Sequence, residues 1–347
     1  MCMSPGLLRD FDPAGPRSSG AMIKNTHFTN NFATVKDFQD TDAVAAGGAV
    51  LVAHFAVPQV GIQFDTVDFQ GNGAYYGGDG GAVAVWGLAT HITFVRATFN
   101  KNAAWSRVAD ISYGGAVFVR GAKVWLDETC VFSNNYAGTQ DASIHPDAFP
   151  GRGGALVVLS GMLSCNGCRF EHNMATNTAS DGLTKGGAVY VGPVEDEISQ
   201  SIRTSRPLSS IKGRSPSVRD RPWQEKQTFT NCIFMHNSVQ STTFGSGEGG
   251  ALSTYIFSPH IVGCLFVNNT AVTSSPIRAR GGAVSLDTTF ESSTSPLIQD
   301  CVFDSNMVRL SVYIFMWASY LLNSLHCNHW HTRRKHSSFF NTLRPQS

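Results

Sequence analysis

Five cysteines stand two residues ahead of a phenylalanine: Cys130, Cys168, Cys232, Cys264 and Cys301, before Phe132, Phe170, Phe234, Phe266 and Phe303. Thiols recurring at one place in a pattern can line a core as small, readily buried hydrophobes or can cross-link as disulfides. The first reading gives a stacked column of reduced thiols. The second gives a covalent staple between neighbouring strands, whose spacing of about 4.8 Å lies within disulfide reach. Cys165 and Cys168 form Cys-Asn-Gly-Cys, which without a second such pair or nearby His ligands reads as a turn rather than a zinc or redox centre. His172 and His236 share one place in adjacent repeats, so they are expected side by side at a corner. A metal there would need further donors, and other repeats supply Lys101, Asn134, Asn268 and Ser305 instead. Acid/base or calcium-assisted chemistry on a polysaccharide would need clustered carboxylates. The candidates Asp65, Asp68, Asp127, Asp300 and Asp304 scatter over different columns of the pattern. His326, Cys327, His329 and His331 could bind metal by composition, but lie in a tail without periodicity. No catalytic, cofactor-binding or metal residue is therefore assigned, and no cofactor is expected.

The elements that must position these groups come from two alternating motifs. Gly-Gly-Ala followed by Val or Leu begins at Gly47, Gly80, Gly114, Gly153, Gly186, Gly249 and Gly281. Phe-x-x-Asn alternates with it at Phe28/Asn31, Phe69/Asn72, Phe99/Asn102, Phe132/Asn135, Phe170/Asn173, Phe234/Asn237, Phe266/Asn269 and Phe303/Asn306. A period of this size marks a solenoid, propeller or array. Within a repeat, GGAVAVWG, HITFVRA and TFNKN place apolar residues at alternate positions, the mark of strands with one buried face. Aligning the repeats puts Val50, Val83, Val117, Leu156, Val189, Leu252 and Val284 in one inward column. Val52, Val85, Val119, Val158, Val191, Thr254 and Leu286 form a second. Between them, Leu51, Ala84, Phe118, Val157, Tyr190, Ser253 and Ser285 form a mixed set suited to an outer face.

Three short strands per turn, stacked in about seven rungs, predict an all-β, right-handed parallel β-helix. The glycine pair supplies positive φ and close backbone approach at one corner. The Asn of each Phe-x-x-Asn tolerates the left-handed region and can bond its counterparts along the axis as a ladder. A propeller would need four antiparallel strands per blade joined by hairpin signals, which are not consistently present.

From Phe28 to Asn306, the alternation of GGA[VL] with F-x-x-N resembles the repeat of the chlamydial polymorphic outer membrane proteins, and is similar to arrays in other β-helix surface proteins. The resemblance implies a passenger displayed at a cell surface, used in adhesion and carried by a C-terminal outer-membrane β-barrel. No barrel sequence is visible in this chain. MCMSPGLLRDFDPAGPRSSG contains no apolar stretch of signal-peptide type, and the first motif is the end of a rung, so the sequence reads as a piece of a longer array or an imperfect gene model.

These motifs divide the chain into an irregular segment 1–25, a β-helix domain 26–306 and a tail 307–347. An insertion at 192–226, rich in Ser, Arg and Pro, is expected to be a disordered corner loop. The tail begins with an apolar run, 310–325, that is short for a membrane span and reads as a cap, an anchor or a sequence out of register with the true protein; any membrane contact is expected through it alone. The one sequon within the array is Asn268-Asn269-Thr270. A net charge of +1, with 15% charged residues, argues against a nucleic-acid partner. The expected function is a non-enzymatic, surface-exposed or secreted repeat protein that binds an extracellular glycan or protein ligand weakly and multivalently. The alternatives are a polysaccharide lyase or hydrolase and a structural spacer.

Overall fold

The structure is a computed structural model, described here for residues 20–34, 45–53, 61–75, 78–87, 91–105, 111–127, 129–138, 150–177, 183–193, 227–241, 245–255, 257–273, 279–287 and 295–310. The described residues are all-β, without a helix long and apolar enough to cross a membrane. They form four sheets of 14, 8, 7 and 5 strands. Every strand pairing among them is parallel, which excludes antiparallel propeller blades. The chain revisits the sheets in a fixed order, giving a β-solenoid-like stack in which each coil lies on the one before.

From Val83 onward each coil carries, among the described residues, four or five strands rather than the three expected. The glycine-pair strands form the 7-stranded sheet, from Val50–Ala53 to Val284–Asp287. The strand that follows and the Phe strand lie in the two halves of the 14-stranded sheet, and in Gly61–Gln70 they are continuous. A further strand follows every ladder Asn, from Phe32–Thr34 to Met307–Leu310. A short fifth strand precedes the glycine pair in five coils, from Ser112–Tyr113 to Ala279–Arg280. These extra strands hold only two to four residues, too few to show a period in sequence. The N-terminal strand Gly20–Thr29 begins inside the segment read as irregular, because Ala21 and Ile23 pair with Ile62 and Phe64 of the next coil. The stack continues to Leu310; residues 194–226 of the insertion and 311–347 of the tail lie outside the described residues.

Register explains the corners. The residue between the halves of the 14-stranded sheet has positive φ in every coil: Asn25, Thr66, Arg96, Thr129, Gly167, Asn231, Gly263 and Asp300. Directly after this bend stands a small or β-branched residue, and in the last five coils it is the column cysteine. The second left-handed corner is the residue before the ladder Asn, not the ladder Asn itself. It is Asn30, Gly71, Lys101, Asn134, His172, His236, Asn268 and Ser305, with φ between 51° and 63°. The third is the first glycine of each pair. At Gly114 φ is 62° and an added Cβ would lie 2.1 Å from the Val117 carbonyl; at Gly115 it would lie 2.1 Å from the Gly154 carbonyl of the next coil. Neither position accommodates a side chain.

Two stacks run the length of the core. The phenylalanine rings from Phe28 to Phe303 follow one another at 4.5–5.0 Å, tilted by 10° or less. Parallel strands in register impose this spacing, and offset stacking makes it favourable. Beside them the ladder asparagines are satisfied in three ways. Asn135 Nδ2 donates to Asn173 Oδ1 at 3.0 Å and to the Phe99 carbonyl at 2.9 Å, and its backbone N–H donates to the same Oδ1 at 3.1 Å. The same trio recurs at Asn72, Asn102, Asn173, Asn237 and Asn269. The ladder expected from sequence is therefore present, with its amides buried and paired as burial requires.

The inward columns at Val50 and Val52 pack in the main core. The mixed column between them points away from that core, as alternation demands, but is not an exposed face. Phe118 is 2% exposed, Tyr190 1% and Ser253 1%. Phe118, Val157, Tyr190, Ala84, Ala46 and Leu159 form a second apolar cluster outside the 7-stranded sheet, against Tyr113, Trp86 and Tyr255. Alternation determines which way a side chain points; it says nothing about what covers it.

Candidate functional site

The outer side of the 7-stranded sheet gathers the charged and aromatic groups that the repeat pattern does not require. The residue directly before each glycine pair forms a column running Ala46, Asp79, Tyr113, Arg152, Lys185, Glu248, Arg280. Parallel register brings them together although they lie far apart in sequence. Beside this column stand Phe118 and Tyr190, and at the far edge Trp86, Arg120 and Tyr255.

The middle of this strip is an interlocked cation–aromatic ladder. Arg152 Cζ lies 5.3 Å from the Tyr190 ring centre and 5.7 Å from that of Tyr113. Lys185 Nζ lies 4.4 Å from the Tyr255 ring and 5.8 Å from that of Tyr190. Glu248 takes Lys185 at 3.7 Å and Arg280 at 3.8 Å. Arg152, Lys185 and Glu248 are all nearly buried. Desolvation of these charges is costly, and the rings and the opposite charge offset it. The accessible groups lie at the margins: Arg120 and Arg280 are exposed, and Trp86, Tyr113 and Tyr255 are half-buried. Rigid aromatic faces with polar tips, next to guanidinium forks, suit contact with carboxylates and planar or ring-shaped polar ligands. Sequence reasoning misses the strip because its residues differ in type from coil to coil. Their one shared signal is position, immediately before each Gly-Gly.

The groups singled out in sequence are placed otherwise. Asp65 takes the Arg96 guanidinium, Lys24 at 3.3 Å and the Thr66 hydroxyl at 2.9 Å. The Thr66 hydrogen bond above all, then the two cations, hold its carboxyl below the ordinary value against desolvation. Asp68 takes the Thr98 hydroxyl and His27 at 3.5 Å. Asp127 shares a column with Asp65, with Val95 between them, a closer alignment than the scatter read from sequence. Asp300 and Asp304 lie in the last coil, where Gln299 donates to the first and Ser305 to the second. The five carboxylates do not converge.

His172 and His236 do sit side by side, their rings stacked at 4.9 Å on successive left-handed corners. The described residues contain no set of three or more His, Cys, Asp and Glu placed to hold a metal ion. Cys130, Cys165, Cys168, Cys232, Cys264 and Cys301 are free thiols, and all but Cys301 are buried. The His- and Cys-bearing tail lies outside the described residues. Comparison with family models, with curated proteins and with solved structures finds no match.

Proposed function

We propose that this chain is a non-enzymatic right-handed parallel β-helix, surface-exposed or secreted, of the kind carried by the polymorphic outer membrane proteins. It acts in adhesion or cell-envelope interaction. The ligand is an extracellular glycan or protein, held by weak contacts summed over several coils. Any membrane contact is made through 310–325. Right-handedness follows from the rule for parallel crossovers.

One observation carries this reading. The recurrent residues, Gly, Ala, Val, Phe and Asn, are consumed by corners, columns and the ladder, while variation is concentrated on outward positions such as Arg120, Arg280, Trp86 and Tyr255. A lyase or hydrolase would require a few titratable groups converging on one bond. The described carboxylates each have their own hydrogen-bonding partner or coil instead.

The test incubates the purified chain with acidic and neutral polysaccharides, with and without calcium, while retention on glycan- and cell-coated surfaces is measured in parallel. Retention without chain shortening is expected. Cleavage abolished by changing one carboxylate would replace this reading with the lyase or hydrolase.

A further inference from the structure

The bend cysteines follow a rule that one neighbour breaks. Each column thiol points at a backbone carbonyl of the preceding coil: Cys130 at Phe94 (3.3 Å), Cys168 at Leu126 (3.7 Å), Cys232 at Cys165 (3.5 Å), Cys264 at Phe229 (3.4 Å) and Cys301 at Ile261 (3.4 Å). Those carbonyls belong to a second inward column, which in register reads Phe64, Phe94, Leu126, Cys165, Phe229, Ile261, Ile298. Every other position in it carries a large apolar side chain. Cysteine at 165 gives up apolar volume that the coils above and below retain. It also brings a second sulfur to a place where a thiol already arrives, so Cys232 Sγ lies 3.4 Å from Cys165 Sγ.

These sulfurs are neighbours in space on adjacent coils but 67 residues apart in sequence. The chain between them contains the 192–226 insertion, so this is where the stack is least protected by chain continuity. We propose that Cys165 and Cys232 are a disulfide-forming pair that ties together the two coils flanking the insertion when the protein meets a disulfide oxidant. Closing the gap to a bond of about 2.05 Å requires side-chain rotation and a small approach of the coils. The small side chain at 165 leaves that freedom.

The chemistry is thiol–disulfide exchange with a small external disulfide such as glutathione disulfide. The thiolate of one cysteine attacks it, forming a mixed disulfide and releasing one glutathione thiolate. The other cysteine, deprotonated, attacks the protein sulfur of the mixed disulfide, forms the Cys165–Cys232 bond and releases the second glutathione. Two protein thiols are oxidised, one external disulfide is reduced, and the two protons end on the two glutathione thiols. Both sulfurs are buried, so the exchange takes place as these coils form or when they open. Three local competitors exist: the Cys165–Cys168 pair, three residues apart, and the bend-column neighbours Cys168–Cys232 and Cys232–Cys264, in the second of which the Cys232 backbone N lies 3.4 Å from Cys264 Sγ.

The experiment refolds the full chain in glutathione disulfide, blocks free thiols, denatures, digests without reductant and maps the peptides by mass. The expected species joins the Cys165 and Cys232 peptides, two hydrogens lighter than their sum, and splits on reduction. In parallel, protein cleaved by trypsin within 192–226 should run as one species on a denaturing gel without reductant and as two with it. Cys165→Ser should abolish the link and Cys168→Ser should retain it. A Cys165–Cys168, Cys168–Cys232 or Cys232–Cys264 peptide as the main product, a link surviving Cys165→Ser, or free thiols at both positions after oxidative refolding would each overturn the proposal.

Discussion

Phe118 and Val119 are consecutive in one strand and both are buried, but in different cores. Val119 packs among the inward columns, and Phe118 packs outside the sheet with Tyr113, ring centres 5.4 Å apart. The 7-stranded sheet is thus covered on both sides at this point, and its outer face is not free for simple solvation.

Truncating either side chain should therefore destabilise the stack. Phe118→Ala is expected to cost about 3–5 kcal/mol, the range for a buried aromatic, and Val119→Asp should prevent folding by burying an unpaired charge. Chemical denaturation read by far-ultraviolet dichroism checks both. A Phe118→Ala midpoint unchanged from the parent would mean the outer cluster is not formed.

The ladder gives a sharper contrast. Asn173→Ala leaves Asn135 without its Oδ1 acceptor and the Phe132 carbonyl without its Nδ2 donor. Each buried orphan costs about 1–3 kcal/mol, so a loss of several kcal/mol is expected. Asn31→Ala, at the exposed first coil, should cost far less. Similar urea midpoints for the two variants would contradict a continuous ladder.

The strip responds to charge pairing rather than charge alone. Lys185→Ala leaves Glu248, among the described residues, with the exposed Arg280 as its cation and should destabilise by about 3–5 kcal/mol, whereas Lys185→Met with Glu248→Leu should come close to neutral. Thermal unfolding of the single and double variants decides it. Equal losses in both would show that these residues act by packing alone.

Much of the fold is legible in the amino-acid sequence, for reasons that differ by residue. Glycine pairs are demanded by corners such as Gly114 and Gly115, and the Phe and Asn columns by in-register stacking, so these residues recur and announce the fold. Short strands such as Ser112–Tyr113 have no room for a period. Residue type points to Asn173 for the left-handed corner because asparagine tolerates it; His172 occupies it instead, and side-chain type alone does not separate two adjacent residues. The strip stays hidden in sequence because Arg152, Lys185 and Glu248 share a column but not a residue type. Phe118 reads as an outer-face residue, yet it is buried, because its covering comes from strands that the motif does not include.

Acid should loosen the N-terminal coils first. The folded-state carboxyl of Asp65 is held below its ordinary 3.8 by Thr66, Lys24 and Arg96. A depressed carboxyl contributes stability that is complete above the unfolded value and is lost as pH falls through the folded one. Hydrogen-exchange protection over 20–34 and 61–75, taken relative to the intrinsic exchange rate at each pH, should therefore fall below about pH 4, and Asp65→Asn should remove that step while lowering protection at neutral pH. A protection factor that is flat through this window in the parent protein would dissociate Asp65 from the integrity of these coils.

Coils that are equivalent in structure should be additive in binding. Asn102 and Asn135 are equivalent ladder positions 33 residues apart, so deleting residues 103–135 removes one whole coil and lets Tyr136 follow Asn102 in register. The measurement is retention of this derivative on a glycan- or cell-coated surface to which the parent binds, with far-ultraviolet dichroism confirming that both fold. A folded derivative whose adhesion falls by a fraction, and falls again with each further coil removed, is the predicted result. A derivative that folds but loses binding in a single step would place the activity in one discrete site, and one that cannot fold would break the equivalence of the coils.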